Sequence, residues 1–367
     1  MTPLVLIDGD TIGRARTGDE TYTVELLRAL PAAAPWARLA CSLRDPAAMP
    51  AGVPAAIERV PLAVASPLRR IPFSFPRLAR RLAAALVHVH YFAAPTLPCP
   101  AVVTVHDLSF LRRPELFGRR DRLLLGRGVP PSLRRARRVI APSQFTRADL
   151  IEAYDLDPER VVAIPNGVGA AYRPLAEAPE IVHDRYRLST GYVLFVGALQ
   201  ARKNATALVD AFSALGDEAA GRELVLVGRD RGGLEAVRGR IARHGLEGRV
   251  RLLGHVPDAD LPALYGAARV LCLPSLYEGF GLPVLEAMAC GTPVVASSTT
   301  ALAEAVGEAG ITVEPQSVAA IGAALARVLG DDVLHAQLRE AGLVRARQFT
   351  WERAALATAD VYRGALA

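Results

Sequence analysis

The chain has 367 residues, 51% hydrophobic and 22% charged, which is the composition of a folded protein with room for two domains. No stretch approaches the roughly 18 consecutive apolar residues of a membrane-spanning helix. Four scattered cysteines without a Cys-x-x-Cys pair argue against a zinc site or a disulfide framework. The formal net charge is +6, and the basic residues are unevenly distributed along the chain.

The first segment, MTPLVLIDGD, is an apolar run that ends at Asp8 and has no basic leader before it. It predicts a buried strand and not a signal peptide, so we expect a cytoplasmic protein. Further β-branched or leucine-rich runs, LVHVHY, AVVTVHD and RRVIAPS, alternate with segments of helical period. This alternation is typical of a parallel sheet covered by helices.

The segment AVVTVHD brings His106 and Asp107 to the carboxyl end of its strand, which is the ligand edge of an open parallel sheet. This position indicates a functional role for His106. His88 and His90 share one face of the preceding strand, and without a third ligand at a metal-like spacing we interpret them as structural. Of the three Asp-x-Asp triplets, capping and turn formation explain the two that end at Asp157 and Asp260, and we expect no metal at any of them.

Ten arginines fall between Arg112 and Arg138, where the only acidic residues are Glu115 and Asp121. Three interpretations stay open: a solvated helix face, a nucleic-acid surface, or a patch that meets anionic lipid headgroups. The nucleic-acid interpretation is the weakest because the segment contains no recognised nucleic-acid-binding motif. We therefore expect no nucleic-acid partner.

A second set of strands follows a segment of about residues 165 to 180, where proline, glycine and alanine interrupt any period and predict a linker. The strands restart with YVLFVGA, ELVLVGR, RVRLLGHV, RVLCLPS and TPVVAS. Their spacing predicts a compact doubly wound domain that binds its ligand at the carboxyl ends of the strands. Beyond Gln316 the pattern is helical, and we expect the final helix to pack back across the first domain.

In FVGALQARKN a strand ends at Gly197 and a helix begins near Asn204. Lys203 is the only lysine of the chain, so the other 42 of its 43 basic residues are arginines. Because the sequence otherwise uses arginine for positive charge, this exception indicates a compact ammonium that grips a diphosphate as a point charge. Arg202 is predicted to supply a second positive charge.

The segment PSLYEGFGLPVLEAMACG puts Glu278 in a glycine-rich turn after a strand and Glu286 on the helix that follows. A helix that begins near Pro283 offers backbone N–H groups and a positive dipole end, which suit a pyrophosphate. Glu286, about one turn into that helix, is predicted to hydrogen-bond a ribose diol. The alternative is a capped helix with a tight glycine turn and no ligand.

Taken together, TVHDLSF, APSQFTRADL, IPNGV, VGALQARKN and YEGFGLPVLEAMACGTPVVAS resemble glycosyltransferase family 4, the retaining nucleotide-sugar enzymes of GT-B architecture. The resemblance covers nearly the whole chain. It implies an α/β protein of two Rossmann-like domains that face each other across a cleft. Residues 1–170, completed by the helix 352–367 packing back, would form the acceptor domain, and residues 171–351 the nucleotide-sugar donor domain.

The resemblance also implies a role for each motif residue. His106 and Glu278 are the catalytic candidates, with His106 at the transferring sugar. The donor-binding candidates are Arg202 and Lys203 on the diphosphate, Glu286 on the ribose, the backbone of Gly279, Phe280, Gly281 and Leu282, Gly18 near the phosphates, and Val256 in the loop that holds the base. The family's Gly-Arg-Leu opening reads Gly197-Ala198-Leu199 here, so Arg202 is expected to replace the missing arginine.

The implied activity is that of a hexosyltransferase, most similar to mannosyltransferases of polysaccharide or glycolipid assembly. GDP-mannose is the first candidate donor and a UDP-sugar the second, without cofactor or metal. The acceptor would be a glycan or a lipid-linked hydroxyl, reached at the inner membrane face through the Arg112 to Arg138 segment. Two alternatives stay open: a GT-B-like nucleotide-sugar epimerase, and an inactive membrane-binding adaptor.

Overall fold

The computed structural model describes residues 2–13 and 18–367, and of residues 217 and 218 only the backbone. The chain forms two compact units: unit 1 is Met1–Gly167 with Thr350–Ala367, and unit 2 is Val168–Phe349. Each unit contains one parallel sheet with helices between its strands. The predicted α/β class with two Rossmann-like domains is therefore confirmed.

Unit 1 contains a seven-stranded sheet in the order β3-β2-β1-β4-β5-β6-β7, in which all neighbours are parallel. Its strands are β1 (Leu4–Asp8), β2 (Arg38–Leu43), β3 (Ile57–Pro61), β4 (Leu86–His90), β5 (Ala101–Thr104), β6 (Arg138–Ala141) and β7 (Val161–Ala163). Its helices are α1 (Gly18–Ala33), α2 (Pro67–Arg69), α3 (Phe75–Arg81), α4 (Ser109–Arg112), α5 (Arg119–Arg135), α6 (Gln144–Tyr154) and α15 (Trp351–Leu366). The central strands β1, β4 and β5 are almost wholly buried, as expected of a sheet covered on both faces.

Unit 2 contains a six-stranded parallel sheet in the order β10-β9-β8-β11-β12-β13. Its strands are β8 (Val193–Val196), β9 (Leu224–Val227), β10 (Val250–Gly254), β11 (Val270–Leu273), β12 (Val294–Ser297) and β13 (Ile311–Val313). Its helices are α7 (Ala178–Tyr186), α8 (Ala205–Ala214), α9 (Leu234–Arg243), α10 (Leu261–Gly266), α11 (Leu282–Ala289), α12 (Ala301–Val306), α13 (Val318–Gly330) and α14 (Asp332–Ala346).

The strand order reverses between β8 and β11, which are neighbours in the sheet although three crossovers separate them in the chain. At such a switch point the connections that leave the two strands diverge to opposite faces of the sheet and leave a crevice. Residues that follow β8 and β11 are therefore brought together at the ligand edge of unit 2.

Two glycines fix the path of the chain after β8. Gly228, at φ +147°, follows β9, and a Cβ there would overlap the carbonyl oxygen of Gly197. A Cβ on Gly233 would lie 2.7 Å from the carbonyl carbon of Leu199. The loops after β8 and β9 thus pack backbone against backbone, which leaves the β8 loop little freedom.

The last helix, α15, belongs to unit 1 and packs along α1, as predicted. Its first turn lies so close to Gly167 that a Cβ on that glycine would overlap the backbone of Trp351. Further along α15, the hydroxyl of Tyr362 lies 2.7 Å from Nδ1 of His88 on β4. Across the described ranges, no helix combines the length and the apolarity that a bilayer crossing requires.

Candidate active site

Two predicted donor-binding residues and one predicted catalytic residue meet at the switch point of unit 2. Arg202 and Lys203 lie in the short helical turn after β8, and Glu278 lies in the loop after β11. The backbone N–H of Leu276 donates to the carbonyl oxygen of Arg202 at 2.8 Å, which joins the two loops directly. The sequence predicted these residues separately, and the sheet order explains why they are neighbours.

Glu278 accepts hydrogen bonds from both cations. The ammonium of Lys203 donates to its Oε1, and Nη1 of Arg202 donates to its Oε2 at 3.1 Å. The same Nη1 also donates to the carbonyl oxygen of Tyr277 at 3.1 Å. The side chains of Lys203 and Glu278 are only 11% and 9% exposed, so the ion pair is largely shielded from water.

The charge balance of this cluster favours an anionic ligand. Burial would raise the pKa of Glu278, but the charges of Lys203 and Arg202 outweigh it and hold that pKa at about 2. Glu278 is therefore ionised at neutral pH, and two cations face one anion. Two cations that are already ordered around one carboxylate suit a diphosphate.

Asn204, which the sequence analysis used only as a helix boundary, holds the two loops in register. Its backbone is left-handed, with φ +56°, a conformation that asparagine tolerates better than most residues. Its Nδ2 donates to the carbonyl oxygens of Pro274 at 3.1 Å and Pro315 at 2.7 Å. An asparagine between a strand end and a helix start was the available signal, but its partners lie 70 and 111 residues away.

The turn from Gly279 to Leu282 leads into α11. Gly281 caps the helix at φ +114°, and a Cβ there would overlap Cδ2 of Leu302. Phe280 is buried, with its ring edge against Phe349 at a centroid distance of 6.1 Å. Phe280 therefore faces the core and offers a ligand its backbone alone. The first N–H groups of a helix have no partner inside the helix, so this turn presents donors and a positive dipole end.

Glu286 lies inside α11 and is buried. The hydroxyl of Tyr265 donates to its Oε2 at 2.8 Å. Burial raises the pKa of Glu286 to about 7, against the lowering effect of the hydrogen bonds from Tyr265 and Tyr172. The carboxyl thus changes charge near neutral pH. Tyr265 is a partner that the sequence analysis missed, because no local pattern links it to a residue 21 positions later.

The structure says less about two other predicted donor-binding residues, Val256 and Gly18. The side chain of Val256 is buried in the core of unit 2, so any contribution to nucleotide binding would come from its backbone. Gly18 begins α1 in unit 1, and the four residues before it lie outside the described residues. Its role near the phosphates stays a prediction.

His106 follows β5 in unit 1 and is largely buried, with 11% of its side chain exposed. Its Nε2 lies 2.9 Å from Nδ1 of His90, at the end of the neighbouring strand β4. Burial lowers the pKa of each of these two rings to about 4, so both are neutral at pH 7. The sequence analysis did not link His90 to His106, although a histidine at or just after the end of two consecutive strands was a usable signal.

Comparison with known proteins then identifies the family of the chain. The family model described as Glycosyltransferase Family 4 matches residues 16–172, and the model described as Glycosyl transferases group 1 matches residues 186–345. O-antigen chain mannosyltransferase B of Escherichia coli is 38% identical over 267 residues, which are 72% of this chain and 70% of that protein. The chain belongs to glycosyltransferase family 4.

This glycosyltransferase is also similar to other curated proteins and to solved structures. D-inositol 3-phosphate glycosyltransferase of Salinispora arenicola is 34% identical over 309 residues, covering 77% of the chain and 69% of that protein. Among solved structures, sucrose-phosphate synthase of Thermosynechococcus elongatus superposes with a TM-score of 0.79 at 25% identity, over 98% of each chain. These matches and the two parallel sheets show a GT-B fold.

The glycosyltransferase departs from its family's pattern at Ala198, where an arginine was expected to contact the donor. Arg202 lies four residues later, with its guanidinium on the same carboxylate as Lys203. A second cation is therefore present in the cluster in spite of the substitution. The contact of Arg202 with a phosphate remains a prediction.

Proposed function

We propose that this glycosyltransferase moves mannose from GDP-mannose to a hydroxyl of a glycan or a lipid-linked acceptor, with retention of the anomeric configuration. The name of the 38% identical relative, an O-antigen chain mannosyltransferase, supports mannose as the sugar. The observation that carries the proposal is the positive charge of Lys203 and Arg202, which meet on Glu278 at the switch point of unit 2. That charge suits a diphosphate leaving group.

In the proposed reaction, the bond between the anomeric carbon and the phosphate oxygen breaks, and its electron pair stays on the diphosphate. The acceptor oxygen bonds to the anomeric carbon on the same face, and its proton passes to the departing phosphate oxygen. Lys203, Arg202 and the N–H groups at the start of α11 stabilise the negative charge that develops on the leaving group. This scheme uses protein cations, so we propose neither a metal nor another cofactor.

The remaining residues take positioning roles in this scheme. Glu278, ionised between Lys203 and Arg202, orients both cations and contacts the donor sugar. Glu286 accepts from the ribose, and unit 2 is the donor unit. Unit 1 receives the acceptor and contributes His106 at the transferring sugar.

A donor screen tests the proposal. The purified enzyme is given GDP-mannose, UDP-glucose and UDP-galactose, each with and without a synthetic lipid-linked acceptor, and the products are analysed by NMR. We expect GDP release that requires acceptor, and an α-linked mannoside from the α-configured donor. Inversion at one sugar carbon with the nucleotide still attached would indicate the epimerase instead. Failure of calorimetry to detect binding of GDP, UDP or ADP would indicate the inactive adaptor.

We also propose that the enzyme works on the cytoplasmic face of an anionic membrane. Of the interpretations of the arginine-rich segment, this proposal adopts the lipid surface and not the solvated helix face. Helix α5 carries exposed arginines: Arg119, Arg120, Arg122, Arg127, Arg134 and Arg135. The segment of α2 and α3, in the same unit, carries two exposed apolar side chains, Leu68 at 68% and Phe73 at 54%, and the guanidinium of Arg77 lies over the Phe73 ring. No acidic residue occurs between Glu58 and Asp107. Exposed apolar residues beside arginines are typical of a surface that enters the headgroup region.

Vesicle flotation tests this second proposal. We expect wild type to float with vesicles that contain phosphatidylglycerol and not with pure phosphatidylcholine. The double substitution Leu68→Ser with Phe73→Ser should weaken flotation. Val333→Ser with Val344→Ser is the matched control, because those residues are equally exposed, at 68% and 54%, but lie on α14 of unit 2. Binding that ignores lipid charge, or equal loss in both double variants, would contradict the assignment.

A further inference from the structure

The hydrogen bond between His90 and His106 has a direction that the surrounding contacts determine. Nδ1 of His90 and Nε2 of His106 are 2.9 Å apart, and the ring planes are within 18° of parallel. The carboxylate of Asp19 is 3.9 Å from the same Nε2, too far for a hydrogen bond. A neutral imidazole carries one N–H, so one ring donates and the other accepts.

Thr23 decides which ring is the donor. Its hydroxyl has a single proton and lies 2.8 Å from the carbonyl oxygen of Asp19, one turn back in α1, which can only accept, so Thr23 donates there. The hydroxyl of Thr11, 3.0 Å away, then donates to Oγ1 of Thr23. Oγ1 of Thr23 also lies 3.2 Å from Nε2 of His90. Because the hydroxyl proton is already used, Oγ1 accepts at this contact. Nε2 of His90 therefore carries the proton.

The tautomer of His90 determines the tautomer of His106. With its proton on Nε2, neutral His90 has a lone pair on Nδ1 and can only accept there. His106 must then donate from Nε2, which leaves its own Nδ1 with a lone pair. Burial, which lowers the pKa of both rings to about 4, keeps them neutral at pH 7, so each ring carries a single N–H. The ring of Tyr22 meets both imidazoles edge-on, at centroid distances of 5.7 and 4.9 Å, and restricts their rotation.

The geometry points to Thr23 and His90 as positioning residues that hold His106 in the Nε2–H tautomer, so that its Nδ1 accepts a hydrogen bond from a substrate hydroxyl. Only the last part, the hydroxyl, rests on the proposed function. A carbohydrate has many hydroxyl donors, and a fixed acceptor would select one orientation of the sugar. His88, two residues before His90, belongs to a different network, with Tyr362 and Thr104.

NMR of the full-length enzyme labelled with 15N-histidine tests the tautomer without any need for activity. Two-bond 1H–15N correlations show which ring nitrogen carries the proton, and His106→Gln assigns the His106 signal among the seven histidines. We expect Nε2–H in wild type and in Thr23→Ser, and a shift of the His106 signal toward Nδ1–H in Thr23→Val. Thr358→Val is the matched control, since Thr358 makes the same bond to the carbonyl one turn back, with Ala354 in α15. An Nδ1–H signal for His106 in wild type would overturn the proposal.

Kinetics test the positioning role. His90→Leu removes the acceptor for His106, and we expect kcat to fall roughly 10²-fold, while GDP binding by calorimetry stays unchanged. His90→Asn offers an amide oxygen near the position of Nδ1, so it should recover most of this loss. Equal kcat values for the two variants would overturn the positioning role. If wild type transferred no sugar at all, the proposed function would fail, but the NMR result would still decide the tautomer.

Discussion

At the scale of single residues, the ammonium of Lys203 combines a shielded position with an ion pair on Glu278. Lys203→Ala removes one preorganised charge from the proposed leaving-group site, so we expect kcat to fall by roughly 10²-fold or more. Lys203→Arg keeps the charge but spreads it over a larger planar group, so it should restore activity only in part. Steady-state transfer from GDP-mannose measures both effects.

The control for Lys203 must separate catalysis from stability, because the alanine variant leaves a buried carboxylate with one cation fewer. Arg185 offers the match: it pairs with Asp260, another buried carboxylate of unit 2. Arg185→Ala should lower the unfolding temperature while kcat stays near wild type. Full activity in a folded Lys203→Ala enzyme would refute the assignment of this residue.

The raised pKa of Glu286 predicts that donor binding depends on pH. Burial raises its pKa to about 7, so the carboxyl is mostly ionised at pH 8 and mostly protonated at pH 6. The ionised form is the better acceptor for ribose hydroxyls, so we expect the donor KM to rise roughly tenfold as the pH falls across this range. Glu286→Gln should keep a high KM at both pH values. A wild-type pH profile that persists in the Gln variant would assign the dependence to another group.

At the scale of elements, the turn before α11 depends on Gly281. Its φ of +114° is unfavourable for a residue with a Cβ, and that Cβ would overlap the side chain of Leu302. Gly281→Ala should therefore destabilise unit 2 by roughly 1 to 3 kcal/mol and weaken GDP binding, because the helix start would shift. Calorimetric titration and thermal unfolding measure the two effects.

Gly239 provides the control for that substitution. It lies inside α9, and a Cβ there would meet no atom within 4 Å apart from its chain neighbours and the backbone of its own helix. Gly239→Ala should stabilise the protein slightly, by up to about 1 kcal/mol, because alanine favours the helix. Equal losses in the two alanine variants would show that the conformation of Gly281 does not matter.

The strands also show which parts of the fold could be predicted from the sequence alone. Buried central strands such as β8 and β11 were predicted from continuous β-branched or leucine runs, because both faces of a parallel sheet are covered. The strands β2, β3, β7 and β13 were not predicted. The edge strands β3, β7 and β13 are only partly buried, and β2 is buried but its run RLACSL is not a continuous β-branched or leucine run. A short half-exposed strand has too few apolar residues to stand out from a loop.

The same limit applies to the candidate site. Lys203, Glu278 and Glu286 could be predicted because unusual composition and glycine-rich turns mark them locally. Their partners could not be predicted in this way. The contacts of Glu286 with Tyr265 and of His106 with His90 depend on which elements become neighbours in space, and that information lies in the strand order and not in any local pattern.

At the scale of the whole molecule, the two units should respond differently to acid. In unit 1, burial holds the pKa values of His90 and His106 near 4, below the value of about 6.5 for an unfolded histidine. Between these pH values the unfolded chain binds more protons, so unit 1 loses stability as the pH falls. In unit 2 the raised pKa of Glu286 has the opposite effect, because the folded carboxyl binds its proton first.

Tryptophan fluorescence isolates the response of unit 1, because Trp36 and Trp351, the only two tryptophans, both lie in that unit. Between pH 6.5 and 4.5 we expect each of the two rings to remove roughly 2 kcal/mol of stability. The fluorescence midpoint of thermal unfolding should therefore fall further than the midpoint from far-ultraviolet circular dichroism, which reports both units.

Two histidine substitutions identify the source of that response. His106→Gln should reduce the pH dependence of the fluorescence midpoint, because one depressed pKa is removed from unit 1. His183→Gln, in unit 2, should leave it unchanged. If both variants kept the wild-type slope, the acid sensitivity of unit 1 would have to come from groups other than His106. The loss of stability of unit 1 in acid would then not come from the burial of the neutral His90–His106 pair. The two rings would be more accessible to water than their contacts indicate.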